Sequence, residues 1–376
     1  MSLLSEDQRL IQDTARSFLA EEGSTARQLR HLRDTGCPDG FQHALWKQFA
    51  ELGLTGICIP EGAGGAGMGA AEAGLVLEEI GRNLTPSPFL TTAVAAVRAL
   101  EGSAQSERWF PGILSGDAVA ALAIDEGKAH APERLAMEAR RSGNGFALHG
   151  EKQFVVHGAS ADVILVAART AGSAGETDGI TLFAVEKGAR GLEVENVTLA
   201  DASKAARLSF DNVQVDADAV IGEVDNGWSP LTRALNAGRA GAAAELVGVA
   251  AGASEMTFDY LKQRKQFGRL IGEFQALQHR AAHLYGEIEI ARAAAAKAAQ
   301  LLDSGDERAE LMVSVAKAKA GRSAALAVQE GVQMHGGIGM TDEHDIGFYM
   351  KREAVLAQLF GDPRYHSDRV AQLSGY

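Results

Sequence analysis

The chain has 376 residues, 46% of them hydrophobic, and a formal net charge of −13. That length leaves room for two or three packed units. The charge excludes general nucleic-acid binding and a polybasic membrane surface. Two cysteines, Cys37 and Cys58, cannot form a disulfide framework and lack metal-ligand spacing. Free thiols in a reducing compartment are expected. The start is charged from Glu6, unlike a signal peptide, and no apolar run is long enough to span a membrane. The cytosol is the expected location.

Residues 3 to 35 read as helix, because Leu3, Leu4, Leu10, Ile11, Ala15, Phe18 and Leu19 recur at helical spacing. Ser5 with Gln8 fits a capping box. Trp46, Phe49, Leu52 and Leu54 continue a second helix. The glycine-rich stretch from Gly56 to Gly74 reads as a loop, since a phosphate cradle needs a strand before it and a Lys-Ser or Lys-Thr after it. Glu72 to Arg82 is a third helix, stopped before Pro86 and Pro88. Ala93 to Leu100 and Glu107 to Leu114 complete a helical domain over 1–117.

From about Ala118 the period becomes two. Phe146, Leu148, Phe154 to Val156, Val163 to Ala167, Ile180 to Val185, Leu192 to Val197 and Ala206 to Val215 read as strands. Turns such as Gly143-Asn144-Gly145 and Asp178-Gly179 separate them. A small antiparallel sheet or barrel over 118–227 is expected, with no strand-helix-strand dinucleotide fold. From Trp228 the chain is helical again, over Leu231 to Phe267, Phe274 to Asp303, Asp306 to His335 and His344 to Phe360. Long segments with short breaks predict an antiparallel four-helix bundle over 228–376.

Within that last region Lys262, Arg264, Lys265 and Arg269 crowd together, with Gln266, Phe267, Phe274 and Gln275 among them. Gly268 is well placed to stop the helix, which puts basic residues in its last turn. Four cations with an aromatic and an amide could also hold a pyrophosphate and a flat ring. Gln333 to Gly339, reading QMHGGIG, ends another helix with glycines that let backbone approach a ligand. His335 reads as a packed or capping histidine.

Arg264, Phe267, Gly268, Ile271, Phe274 and Gln275 resemble the signature of the acyl-CoA dehydrogenases, FAD flavoproteins that oxidise acyl thioesters between the alpha and beta carbons. Gln333, Gly336, Gly337 and Gly339 resemble that family's Gln-x-x-Gly-Gly-x-Gly. The resemblance covers nearly the whole chain and implies a mixed, mainly helical fold: helical domain, β domain, helical bundle. It implies that Arg264, Gln266, Phe267, Gln275, Gln333, Gly336 and Gly337 meet the pyrophosphate and adenosine end of a neighbouring subunit's FAD. It further implies tetramers, an acyl-CoA substrate and an electron-transfer flavoprotein as electron acceptor. Arg239 matches an arginine near the family's active-site base, and the resemblance implies that it binds substrate.

Other family parts are missing. The family's catalytic glutamate falls on Gly361, and its alternative place, before the matched arginine, falls on Gly238. Asp362 is a candidate displaced base but precedes Pro363, where aspartate more often forms a turn. Glu245 lies six residues beyond Arg239, about 600° of helix, so it points away from the Arg239 side and is a second candidate base. The family's Thr-Glu-Pro-x-x-Gly-Ser-Asp appears as Ala123 to His130, and its Trp-Ile-Ser/Thr, which lines the flavin ring, as Phe154-Val155-Val156. Valine cannot donate the hydroxyl hydrogen bond. What serves a neighbour's FAD is kept and what serves the chain's own flavin is eroded. This division is expected of a subunit in a mixed oligomer with a catalytic homologue. The alternatives are a self-sufficient homotetramer using Asp362, a relative doing other flavin oxidation, and a purely structural subunit.

Overall fold

The computed structural model describes residues 4–25 and 27–376, so the expected place of Leu3 in the first helix lies outside the described residues. Helices α1 (Glu6–Glu21), α2 (Leu29–Thr35), α3 (His43–Glu51), α4 (Ala70–Asn83), α5 (Val97–Leu100) and α6 (Ala104–Leu114) come first. Strands β1 (Ala120–Ala123), β2 (Glu138–Ser142), β3 (Gly145–Val156), β4 (Val163–Arg169), β5 (Ile180–Glu186), β6 (Leu192–Thr198), β7 (Lys204–Val215) and β8 (Val220–Ile221) follow. The chain then runs through α7 (Trp228–Gln263), β9 (Lys265–Gln266), β10 (Arg269–Leu270), α8 (Gln275–Asp303), α9 (Ala309–His335), α10 (Ile346–Gln358) and α11 (Pro363–Leu373). The order is the mixed, mainly helical one expected, and none of these helices is long and apolar enough to cross a membrane.

Ser5 caps α1 through the reciprocal bonds with Gln8, each 3.1 Å. The single helix expected over 3–35 is two helices, because the chain leaves α1 at Gly23. There the Gly23 carbonyl accepts from the Thr85 hydroxyl at 2.8 Å, and a Cβ would sit 2.6 Å from that oxygen. Leu54 falls outside α3, in a short 3-10 turn. The glycine-rich stretch is the expected loop as far as Gly69, broken by two such turns, but Ala70 to Gly74 are already the start of α4. Ala93 to Ala96 belong to a π-helical segment, Phe89–Ala96, that runs into α5.

Chain contacts divide the molecule into two units. The helical unit takes the chain up to His31, Ala70–Thr85 and Arg239–Tyr376. Here α8 packs along α9, and Ala291 and Ala295 of the first and Ala316 and Ala320 of the second are buried. α4 crosses α7 at Gly81 and Gly248, where a Cβ on either would collide with a carbonyl of the other helix, Glu245 or Glu78. Glycine weakens a helix, and close backbone approach is the return. Beyond the four expected helices, α11 adds a fifth to this region.

The second unit takes Leu32–Gly69 and Pro86–Gly238. Its sheet has the order β6-β7-β3-β2-β4-β5-β8, with β1 paired to β4 in parallel and most other pairs antiparallel. The period-two pattern misses β1, β2 and β8. β1 is uniformly buried alanine and leucine, β2 is mostly charged, and β8 has two residues. β3 carries register shifts between Leu148 and Gly150 and between Lys152 and Val155. The second shift holds Phe154 at a φ of 54°.

Candidate functional site

α7 does not reach Phe267, and Gly268 does not stop it. The helix ends at Gln263 with only Lys262 in its last turn. β9 and β10 pair as a hairpin, Gln266 opposite Arg269. Phe267 and Gly268 form its turn at φ of 53° and 82°, the positive pair a type I′ turn demands. Glycine takes that conformation cheaply and phenylalanine does not. The turn leaves the Phe267 ring 92% exposed. Arg264, Gln266 and Gln275 are exposed beside it. Lys262 pairs with Asp259 at 3.1 Å, but Arg264, Lys265 and Arg269 have no carboxylate partner among the described residues. The Arg269 guanidinium lies over the Phe274 ring at 4.1 Å.

The end of α9 lies beside the end of α7, since the His335 ring packs on Tyr260 at 4.5 Å. His335 is buried, as expected of a packed residue, and its Nδ1 donates to the Gly331 carbonyl at 2.7 Å. Burial lowers its pKa. Beyond it the chain turns out. Gly336 adopts φ 63° and ψ −137°, a conformation left to glycine. Gln333, Gly336 and Gly337 are exposed, and a Cβ at either glycine would meet nothing within 4 Å. This edge therefore offers unneutralised cations, open glycine backbone and an exposed aromatic. Those groups fit the pyrophosphate half of a dinucleotide.

A second cluster in the same unit surrounds Arg239, which is 2% exposed. Its Nε donates to the Phe360 carbonyl at 3.3 Å and its Nη2 to the Tyr365 hydroxyl at 2.9 Å. Lys317, fully buried, donates to the carbonyls of Leu356 at 3.3 Å, Ala357 at 2.9 Å and Gly361 at 3.1 Å. Burial, with Arg239 nearby, brings its pKa down to about 7. Burial also raises the Glu353 pKa, against the pull of Lys317. Asp362 caps α11, its Oδ1 accepting from the Tyr365 backbone N–H at 2.7 Å. Glu245 is buried and ion-paired to Arg352. Sequence reasoning missed Lys317 and Tyr365. Lys317 stands in register with buried Val313, Ala320 and Ala324 on α9, a charge in an apolar stripe that the pattern could have flagged.

In the sheet unit, Phe154 and Val156 are half-buried at the end of β3. The segment after β1 is tied to its own unit. The Asp125 carboxylate pairs with His130 at 2.9 Å. The Glu126 carboxylate accepts from the N–H groups of Ala136 at 2.8 Å and Met137 at 3.0 Å, and from Lys152 Nζ at 2.8 Å. Lys152 also donates to the Ile124 carbonyl at 2.9 Å. Its full burial lowers its pKa to about 8 even with Glu126 opposing that shift. No hydroxyl stands at position 156, so this end of β3 does not offer a flavin ring the side-chain donor the resemblance calls for.

Three family models match the chain. The acyl-CoA dehydrogenase N-terminal domain matches residues 5–117, the middle domain 124–213 and the C-terminal domain 225–372. Among curated relatives, a cyclohex-1-ene-1-carbonyl-CoA dehydrogenase of Geobacter metallireducens is 32% identical, over 96% of this chain and 95% of the relative. Among solved structures, a variant of the Tcur3481-Tcur3483 steroid ACAD is 30% identical with a TM-score of 0.88, covering 98% of both chains. The ChsE4-ChsE5 complex of Mycobacterium tuberculosis is 25% identical with a TM-score of 0.89, covering 100% of this chain and 99% of that one.

Proposed function

The chain belongs to the acyl-CoA dehydrogenase family, and from that premise we propose that it is the subunit of a mixed oligomer that completes a catalytic homologue's FAD site. The family is FAD-dependent and acts on CH–CH groups. Alpha,beta-dehydrogenation of an acyl-CoA needs a carboxylate to take the alpha proton. FAD, when bound, supplies the acceptor for the beta hydride. Both family positions for the carboxylate carry glycine here, Gly361 and Gly238. The base and the acyl-CoA cavity are the partner's part. This chain contributes the adenosine-side contacts: Arg264, Gln266, Phe267, Gln275, Gln333 and the backbone of Gly336 and Gly337. Electrons leave the assembly to an electron-transfer flavoprotein.

The observation that carries this reading is the exposed hairpin, with three cations unpaired among the described residues and an outward Phe267. Two similar structures bear paired names, ChsE4-ChsE5 and Tcur3481-Tcur3483, which accords with a two-subunit assembly. The capping role of Asp362 gives the self-sufficient alternative no support.

The test is the visible spectrum and native mass of the chain purified alone and then co-expressed with a homologue encoded beside it. Flavin gained only with the partner, at one per pair of chains, is expected. A yellow homotetramer with one flavin per chain defeats the proposal.

A further inference from the structure

Gly361 is more than a missing side chain. Its φ is 108°, outside the range other residues adopt readily. A Cβ built there would stand 2.5 Å from Tyr365 Cδ1, 3.0 Å from Tyr365 Cε1 and 2.9 Å from His366 Nε2. Real carbon–carbon contacts do not approach so closely, and the atoms met are rigid rings. Phe360, just before it, is also left-handed at φ 60°.

The obstruction is held in place from several sides. Arg239 donates to the Tyr365 hydroxyl and lies against its ring, 5.4 Å from the centroid. His366, fully buried, approaches the Phe360 carbonyl at 3.1 Å through Nε2. Lys317 grips the Gly361 carbonyl from below. Asp362 fixes the start of the helix that carries Tyr365.

We infer that Tyr365, pinned by Arg239, fills the volume that a proton-abstracting side chain on residue 361 would require, so that the loss of the base is built into the packing of α11. This deepens the proposed function and rests on it for its meaning. Tyr365 makes the closest of these contacts, and with His366 and the positive φ it keeps residue 361 without a side chain. A glutamate introduced at 361 meets the ring before it meets any substrate.

A double-substitution cycle on the intact assembly tests this. Gly361→Ala is expected to lower the melting temperature, and the drop is expected to shrink in a Tyr365→Ala background. In a Tyr365→Phe background the ring remains, so the drop persists. Alongside, in an assembly whose catalytic homologue has its own base changed from carboxylate to amide, Gly361→Glu is expected to leave alpha-proton exchange of acyl-CoA in deuterium oxide at the level of that base-less assembly, whereas a working general base adds about 10²-fold or more. Strict additivity of Gly361→Ala and Tyr365→Ala overturns the inference, and so does a stable Gly361→Glu chain that raises the exchange. Neither result depends on flavin stoichiometry, so failure here is distinct from failure of the proposed function.

Discussion

Arg239 and Arg264 lie at the two ends of one stretch of α7 and its hairpin, and they differ in what satisfies them. Arg239 is buried, with a carbonyl and a hydroxyl of the same chain as acceptors. Arg264 is exposed, and no carboxylate of the described residues reaches it. The turn around residue 361 is likewise tied by Lys317 and His366, while the turn at Phe267 presents its ring to solvent. A region that satisfies its own donors is built for folding. A region that leaves cations and an aromatic outside, against the sterics of a positive φ at Phe267, is where the proposed contact with a partner's FAD would be made.

The sharpest way to break this comparison is to remove each arginine in turn. Arg239→Ala takes a donor from the Tyr365 hydroxyl and one of two from the Phe360 carbonyl, which keeps His366 Nε2. A polar group left unpaired inside the fold costs about 1–3 kcal/mol, so a loss of about 2 kcal/mol in urea unfolding is expected. Arg264→Ala is expected to change folding stability by less than about 0.5 kcal/mol, as exposed substitutions do. Equal losses at the two positions would erase the distinction. The next effect in size is on flavin. Losing one charge-assisted hydrogen bond costs about 2 kcal/mol, so Arg264→Ala is expected to weaken flavin retention by the co-purified assembly about 30-fold. Flavin content that stays unchanged under dilution removes Arg264 from the proposed contact.

The same contrast explains what could be read from the sequence. The three-part order of helix, sheet and bundle was legible because long periodic segments dominate it. Arg264, Phe267 and Gln275 were legible as a set because local clustering of charge survives without knowledge of the fold. The hairpin was not. Gln263 to Phe267 continues a plausible helix, and only the pairing of Gln266 with Arg269 takes Gly268 out of a cap and into a turn. The turn at residue 361 was legible only as an absence. Its filling by Tyr365 and its grip by Lys317 depend on packing between α7, α9 and α11, which no spacing in one segment encodes.

A smaller effect sharpens the buried half of the comparison. An ordinary lysine titrates at 10.5, and burial, with Arg239 second, brings Lys317 to about 7. Its charged neighbours are Arg239 on α7, Glu353 on α10 and Asp362 at the start of α11. Because the folded pKa lies below the unfolded one, the unfolded chain holds more protons between those values. Stability contributed at this position therefore rises with pH from about 7 toward 10.5. The melting temperature of the parent relative to Lys317→Met is expected to climb over pH 7 to 9, a window set by that linkage. A difference that stays flat across that window shows that Lys317 does not titrate there.

Asp362 gives the smallest effect and the cleanest division between the two explanations of the missing base. As the cap of α11 it accepts the Tyr365 N–H, and a cap replaced by alanine costs about 1 kcal/mol. Asparagine accepts the same bond, so Asp362→Asn is expected to keep most of that stability. Neither substitution is expected to change turnover of acyl-CoA by the assembly, because the carboxylate serves the backbone of its own helix. If Asp362→Asn leaves the melting temperature alone and abolishes turnover, the charge and not the cap matters. The turn around residue 361 would then be a working site, and its dense hydrogen bonding would be positioning for chemistry instead of closure against it. Loss of stability in Asp362→Ala with turnover intact in Asp362→Asn keeps the residue where its geometry puts it, at the head of the helix that carries Tyr365 into the place of a base.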